Sequence, residues 1–248
     1  MIGGEIFFCP EVDSTNPQAR QYCLEGAKEG TVILAESQSQ GRGRLGRQWQ
    51  SPAGVNIYAS IILRPPMRAA SAPHIPLLAG VAGAQALARA CGLEARIKWP
   101  NDILVNGKKV AGILSEMEAE GLQVRFIILG VGINVNWQKK DIPPDLREIA
   151  TSLRAEGGRE FSRAKVAAEF FEELEGEYVL FLKEGFSSRL REEWNRLSWV
   201  NQKWVTITVP GRKFEGRVLG LDADGALLVI DGQEKIQRFI AGDVSLRL

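Results

Sequence analysis

The side chains able to do chemistry crowd into a few short runs. In Gly41-Arg42-Gly43-Arg44-Leu45-Gly46-Arg47-Gln48-Trp49, glycines interleave with arginines, and Lys98-Trp99-Pro100-Asn101-Asp102 follows further along. Glycine lets a backbone approach a ligand closely, and arginine supplies a fork of donors for phosphate or carboxylate. The combination suits anion binding. Two more glycine-bearing runs, Gly107-Lys108-Lys109-Val110-Ala111-Gly112-Ile113-Leu114 and Gly130-Val131-Gly132-Ile133-Asn134-Val135, fall where strands would deliver them to the same place.

Overall charge limits the size of that anion. The chain has 31 Lys and Arg against 30 Asp and Glu, a formal net charge of +1, whereas a nucleic-acid binder shows a basic excess or stripe. The arginine cluster is local, so a small anion is expected. The single histidine, His74, stands between Pro73 and Ile75 with no carboxylate in its local motif; it reads as a capping or surface group, and a Ser-His-Asp mechanism is poorly supported. Cys9, Cys23 and Cys91 are odd in number and form no C-x-x-C, which argues against a disulfide framework or a zinc knuckle and fits a reducing, cytoplasmic setting. No basic leader runs into an apolar segment at the start. The apolar stretch 75–90 is interrupted by Pro76, Gln85 and Arg89 well short of a membrane span.

The elements that must carry these residues can be read from periodicity. At 248 residues, 45% hydrophobic and 25% charged, the chain can bury one substantial core and a small second one. Ser14-Thr15-Asn16-Pro17 reads as a helix start, with Ala19, Tyr22, Cys23 and Ala27 on the apolar face and Gly30 as the stop. Residues 31–35 and 56–63 read as strands flanking the Arg/Gly loop, and 75–91 as a buried, alanine-rich helix. A strand over 95–99 is followed by a hairpin in which 103–105 turn at Asn106-Gly107, a type I′ signal, into 110–116; a further strand covers 124–129. The pattern predicts helices over 146–153 and 162–183. Beyond 189–199 it changes to short strands at 204–209, 214–221, 226–230 and 236–240, with turns at Pro210-Gly211, Asp224-Gly225 and Asp231-Gly232, as in a small SH3-like β-barrel. A boundary near Asn201 divides a larger unit, 1–200, from a C-terminal unit, 201–248.

Taken in order, Asp13-Ser14-Thr15-Asn16, Ala35-Glu36-Ser37-Gln38, the Gly41 to Trp49 loop, Lys98 to Asp102, Lys109 to Glu116 and Gly130 to Asn134 resemble the biotin protein ligases, and the likeness extends through the C-terminal β module. The resemblance implies an α+β fold, a mixed and largely antiparallel sheet with packed helices plus the SH3-like barrel. It implies adenylation of biotin by ATP to biotinyl-AMP, then transfer to a lysine of a biotin carboxyl carrier protein, with no covalent enzyme intermediate. In that scheme Lys109 bridges the biotin carboxylate and the α-phosphate, where cations must offset two repelling anions. Lys98 faces the phosphates and Asp102 partners magnesium; the two could instead form a structural ion pair. Arg44 and Arg47 face ATP with Trp49 over adenine, and the loop orders over the adenylate and shields its anhydride from water. Asn101 contacts phosphate or caps a turn, and Asn134 contacts adenine or satisfies a turn.

The same resemblance gives the biotin site to Ser14, Thr15, Gln38, Gly41, Arg42, Lys109, Gly112, Leu114, Gly130 and Ile133, with helix capping a second use for Ser14 and Thr15. Many relatives carry a DNA-binding winged helix-turn-helix ahead of this unit. Only the residues to Val12 precede Asp13, so DNA binding is not expected. A homodimer is expected, and no membrane association. The competing readings are a lipoate ligase or octanoyltransferase on the same fold, a non-catalytic biotin-binding module, and a nucleic-acid binder, which the near-zero net charge opposes.

Overall fold

A computed structural model describes residues 1–246. Its larger sheet is built from β1 (Ile6–Val12), β2 (Val32–Gln38), β3 (Ile57–Leu63), β4 (Ala95–Lys98), β5 (Asp102–Val105), β6 (Lys108–Glu120) and β7 (Gln123–Ile133). The spatial order is β1-β2-β3-β7-β6-β5-β4. Only β1 and β2 pair in parallel; the other neighbours are antiparallel. The helices are α1 (Thr15–Leu24), α2 (His74–Cys91), α3 (Leu153–Gly157), α4 (Arg163–Glu184) and α5 (Ser188–Leu197).

Strand alternation sorts the side chains into two faces. Ile57, Ala59, Ile61 and Leu63 of β3, with Ile127, Leu129, Val131 and Ile133 of β7, enter the main core with α2 and α4. The opposite face has a different fate at each end. Ile62, Phe126 and Ile128 are covered by Ala19 and Cys23 of α1 in a second, small cluster. Tyr58 and Ser60, paired with Gly132 and Gly130, continue that face beyond α1. There the sheet opens into a cleft.

The C-terminal strands β8 (Trp204–Val209), β9 (Arg212–Leu221), β10 (Leu227–Ile230), β11 (Ile236–Phe239) and β12 (Asp243–Leu246) form an antiparallel sheet of order β11-β10-β9-β8-β12. These strands form the expected SH3-like module; among the described residues β11 and β12 are its edges, so the strand pairing does not close into a full barrel. Its apolar side chains, including Val205, Ile207, Val218, Leu227 and Val229, are continuous with the main core. The two units are also tied by polar contacts. His74, at the start of α2, stacks on Phe186 with ring centroids 4.6 Å apart and places Nε2 2.8 Å from the Asp224 carbonyl.

The helix expected over 146–153 is corrected. A short 3-10 turn, Pro144–Leu146, runs on into hydrogen-bonded turns over 147–149 and a single parallel bridge at Ala150, where the Ile149 carbonyl accepts from Lys109 N at 2.9 Å and Thr151 N donates to the Lys109 carbonyl at 2.8 Å. Pairing with β6 satisfies backbone groups that a helix would have satisfied internally, and tertiary context overrides a weak local propensity. Helix α3 begins only after Ser152, whose hydroxyl caps Ala155 N at 3.1 Å.

Candidate active site

A cleft of about 780 Å³ lies over the open face, bounded by the Arg/Gly loop, the β5–β6 hairpin and the C-terminal sheet. Its floor is a bed of glycines. Gly112 pairs with Gly132 across β6 and β7, and Leu114 pairs with Gly130 beside them. The indole of Trp49 lies on this bed: a Cβ at Gly132 would stand 2.5 Å from Trp49 Cε2. Trp49 Nε1 is buried without a hydrogen-bond partner.

Lys109 reaches the cleft through a β-bulge. Asp102 pairs with Gly112 and Ile103 with Ala111, but Leu104 pairs with Lys109, leaving Val110 as the extra residue. Regular alternation would put Lys109 on the face of Ala111 and Ile113, inside the helix-covered core. The extra residue reverses the parity: Val110 is fully buried and Lys109 emerges beside Gly112. The Asn106-Gly107 turn has φ of 50° and 79°, the left-handed pair that a type I′ hairpin requires. Lys109 Nζ lies 2.6 Å from Asp102 Oδ1 and 5.1 Å from the centroid of the Trp49 ring. Asp102 therefore pairs with Lys109 rather than with Lys98, although Lys98 and Asp102 are cross-strand neighbours that both line the cleft.

The Arg/Gly loop folds back on itself as a small hairpin. Arg42 bridges Gln48, Gly43 N donates to the Arg47 carbonyl at 2.7 Å, and Trp49 N donates to the Gly41 carbonyl at 2.8 Å. Arg44 reaches Asn101 Oδ1 at 3.3 Å and the Gly242 carbonyl at 3.3 Å, while Arg47 pairs with Asp243. The loop is thereby fastened to the C-terminal unit as well as to the turn before β5 of the larger sheet. Asn101 donates to the Ile113 carbonyl at 2.6 Å, so it pins its turn onto β6 as well as receiving Arg44. Below, Tyr58 donates to the Pro52 carbonyl at 2.9 Å, and burial pushes its phenol pKa up, keeping it a neutral donor.

A chain of polar side chains lines the end of the cleft near α1. Ser14 occupies the N-cap position without a side-chain cap bond, which leaves its hydroxyl free for another use. Thr15 N donates to Gln38 Oε1 at 2.9 Å, Gln38 Nε2 donates to Ser51 Oγ at 2.8 Å, and Ser51 Oγ lies 3.2 Å from the Trp49 carbonyl. Asn16 and Ser60 extend the chain inward; neither was singled out from sequence as a site residue. Ser60 had a readable signal, being the only hydroxyl apart from Tyr58 in the otherwise apolar strand Ile57–Leu63, and a buried hydroxyl must find a partner.

Of the residues expected at the site, Ser14, Thr15, Gln38, Arg42, Arg44, Arg47, Trp49, Lys98, Asn101, Asp102, Lys109, Gly112, Leu114, Gly130 and Asn134 line this cleft. Two do not. Ile133 is corrected to the core, because it shares the face of Val131 and Leu129 beneath the helices. Gly41 is buried behind the loop strands and borders a neighbouring cavity. Asn134 lies at the edge with its amide already used, donating to the Thr151 carbonyl at 2.9 Å and so bracing the segment paired with Lys109.

Among the described residues no three His, Cys, Asp or Glu side chains cluster as a metal site. Magnesium commonly keeps several waters and binds through one or two carboxylates together with substrate phosphates. Asp102 and Asp243, both on the cleft wall, fit an ion that arrives with a nucleotide better than a resident metal.

Comparison with known proteins agrees with this architecture. Residues 9–134 match the Biotin/lipoate A/B protein ligase family and residues 203–247 the Biotin protein ligase C terminal domain. The chain is 38% identical over 247 residues to the bifunctional ligase/repressor BirA of Bacillus spizizenii, covering 99% of this chain and 75% of that protein. It is 31% identical over 239 residues to the biotin–[acetyl-CoA-carboxylase] ligase of Mycobacterium tuberculosis, covering 94% of this chain and 82% of the relative. Among solved structures, the biotin protein ligase from Aquifex aeolicus in complex with biotin and ATP superposes with a TM-score of 0.85 at 28% identity, over 98% of this chain and 99% of that one. With its sheet, its glycine-floored cleft and its C-terminal module all matched, the chain belongs to the biotin protein ligases of the biotin/lipoate protein ligase family.

Proposed function

We propose that this protein adenylates biotin and transfers it to a lysine of a biotin carboxyl carrier protein. The observation that carries this reading is the Lys109–Asp102 pair held by a bulge over a floor with no side chains at Gly112 and Gly132. The biotin carboxylate attacks the α-phosphorus of ATP, a carbon-bound oxygen joins phosphorus, and pyrophosphate leaves. Both reactants are anions, and negative charge grows at phosphorus as the bond forms, so fixed cations at that point lower the barrier. Lys109 is assigned to the meeting point of carboxylate and phosphate. Lys98 is assigned to the phosphates, with Asp102 a ligand for magnesium, which supplies charge neutralisation when it enters with ATP. In the second step the carrier lysine amine attacks the acyl carbon and AMP leaves.

The polar chain at Ser14, Thr15 and Gln38 supports biotin over lipoate, because a ureido ring offers N–H and C=O groups to such a wall and a dithiolane offers neither. Trp49, with an unpartnered indole N–H on the glycine bed, is assigned to the nucleotide side. Two finer readings belong to the same proposal. The edge strand β1 exposes Ile6 and Phe8, which supports association into a homodimer. No helix among the described residues is long and apolar enough to cross a membrane, and Cys9, Cys23 and Cys91 are free thiols, which supports a cytoplasmic setting.

Incubation with labelled biotin, Mg-ATP and a carrier domain tests the reaction directly. Label is expected on the carrier with the wild type and not with Lys109→Ala. ATP-independent biotin binding without labelled carrier would instead identify a storage module.

A further inference from the structure

One hydroxyl behind the cleft wall faces two oxygens with a single proton. Ser60 Oγ is fully buried and lies 2.6 Å from Asn16 Oδ1 and 2.7 Å from Thr15 Oγ1. A serine hydroxyl can donate only once. Which contact takes the proton is decided further back. Asn16 Nδ2 meets Glu116 Oε2 at 2.6 Å and the Leu114 carbonyl at 3.4 Å. A backbone carbonyl can only accept, as can an ionised carboxylate, so the amide nitrogen faces them and the amide oxygen faces Ser60. Gly130 makes room for this arrangement, because a Cβ there would collide with Asn16 Oδ1.

The amide oxygen has no proton to give, so Ser60 donates to Asn16. The Ser60–Thr15 contact is then a hydrogen bond only with Thr15 as donor. Its 2.7 Å length wins over the 3.3 Å approach of Thr15 Oγ1 to Gln38 Oε1, an oxygen that already accepts from Thr15 N. Towards the cleft, Thr15 Oγ1 is left with lone pairs alone.

We propose that Ser60, oriented through Asn16 by Glu116 and the Leu114 carbonyl, is a positioning residue that makes Thr15 Oγ1 an obligate acceptor, so that this end of the cleft takes a ring N–H and rejects a ring oxygen. The inference rests on the biotin reading above, in which that N–H belongs to the ureido ring. Ser60 touches no substrate; it acts only by removing the alternative in which Thr15 donates.

The test compares biotin with its two cyclic carbamate analogues, each with one ureido N–H replaced by oxygen, in Mg-ATP-dependent pyrophosphate release. For the wild type, one carbamate isomer is expected to lose on the order of 10²-fold or more in kcat/KM, because two lone pairs then face each other. In Ser60→Ala the Thr15 hydroxyl can turn and donate, so this preference is expected to shrink by about tenfold, with biotin KM rising more than kcat falls. Glu116→Ala alters an exposed side chain outside the core and is expected to move the preference the same way by a smaller step, since the Leu114 carbonyl still orients Asn16. It decides the matter if Ser60→Ala fails to fold. Unchanged preference in variants that melt like the wild type would overturn the relay alone. A wild type that releases no pyrophosphate with biotin would overturn the biotin reading and the relay together.

Discussion

Lys109→Met separates charge from packing at the centre of the site. Methionine keeps an unbranched stem beside Gly112 and Trp49 and removes the ammonium that stands 2.6 Å from Asp102 Oδ1. The lysine side chain is 29% exposed, so water is partly displaced before substrates arrive and more completely once they fill the cleft. Two unit charges about 4 Å apart interact by about 4 kcal/mol at an effective dielectric constant of about 20, but by only about 1 kcal/mol in bulk water. At about 1.4 kcal/mol per tenfold, the first value means a loss of about 10³-fold in adenylation and the second about fivefold. The partly buried, ion-paired geometry argues for the larger loss. Biotin-dependent exchange of labelled pyrophosphate into ATP, at saturating substrates, measures the step without the carrier. Asp102→Ala measured in parallel shows whether the carboxylate matters beyond holding the ammonium in place. A fall of tenfold or less in Lys109→Met, with biotin and ATP still bound, would refute the assignment of Lys109 to the reacting anions.

Arg44→Gly removes the contacts to Asn101 and the Gly242 carbonyl, and is expected to let biotinyl-AMP escape into solution; retention of labelled adenylate through rapid gel filtration would count against the loop as its cover. Asp243→Ala, which frees Arg47 and removes the 3.7 Å ion pair of Arg44 while leaving Arg44 on the Gly242 carbonyl, is expected to cause a smaller leak in the same assay, and a tighter adenylate would contradict that fastening. Gly130→Ala forces Asn16 to move and is expected to weaken biotin binding in calorimetric titration, with a stability cost of about 1–3 kcal/mol from overpacking; wild-type affinity would show that Asn16 can yield freely. Burial pushes the Cys91 thiol from its ordinary value of 9.0 up to about 11. The unfolded chain therefore loses this proton first, and stability is expected to fall as pH rises from about 9 to about 11, by on the order of 2 kcal/mol. Urea midpoints at pH 8 and pH 11 check this, with Cys91→Ala abolishing the Cys91 share of the difference.

Elements with strong local signals were legible in the sequence. The Asn106-Gly107 turn adopts the left-handed pair its residues favour, and helix α4 follows its apolar spacing from the Ser162 cap onward. What escaped depends on partners distant in sequence. Strand β1 gains its identity from parallel pairing with β2, and β12 from pairing with β8. Residues 146–153 carry apolar spacing that suits a helix, yet their backbone is claimed by Lys109. The site shows the same division. Residue types marked Lys109 and the arginine loop, whereas the displacement of Ile133 from the cleft follows from strand parity, which a list of motif residues does not contain. Ser60 and Asn16 lay between legible and hidden, since their polarity was visible but their partners were not.

Parity also explains why catalysis and folding do not compete at β6. In regular pairing Lys109 would enter the face of Ala111 and Ile113, where an unpaired ammonium costs several kcal/mol. The bulge exchanges the two candidates for that core position, sending Val110 inward and Lys109 outward. A bulge weakens the ladder locally, and here the lost pairing is replaced from the other side, where Ile149 and Thr151 exchange backbone hydrogen bonds with Lys109 while the Asn134 amide holds Thr151. The irregular 142–152 segment thus serves as a brace. It lets the sheet hold a cation at an angle that an unbroken strand could not present, with its ammonium set by Asp102 from the neighbouring strand before any anion arrives. Such preorganisation lowers the reorganisation needed as charge develops during adenylation.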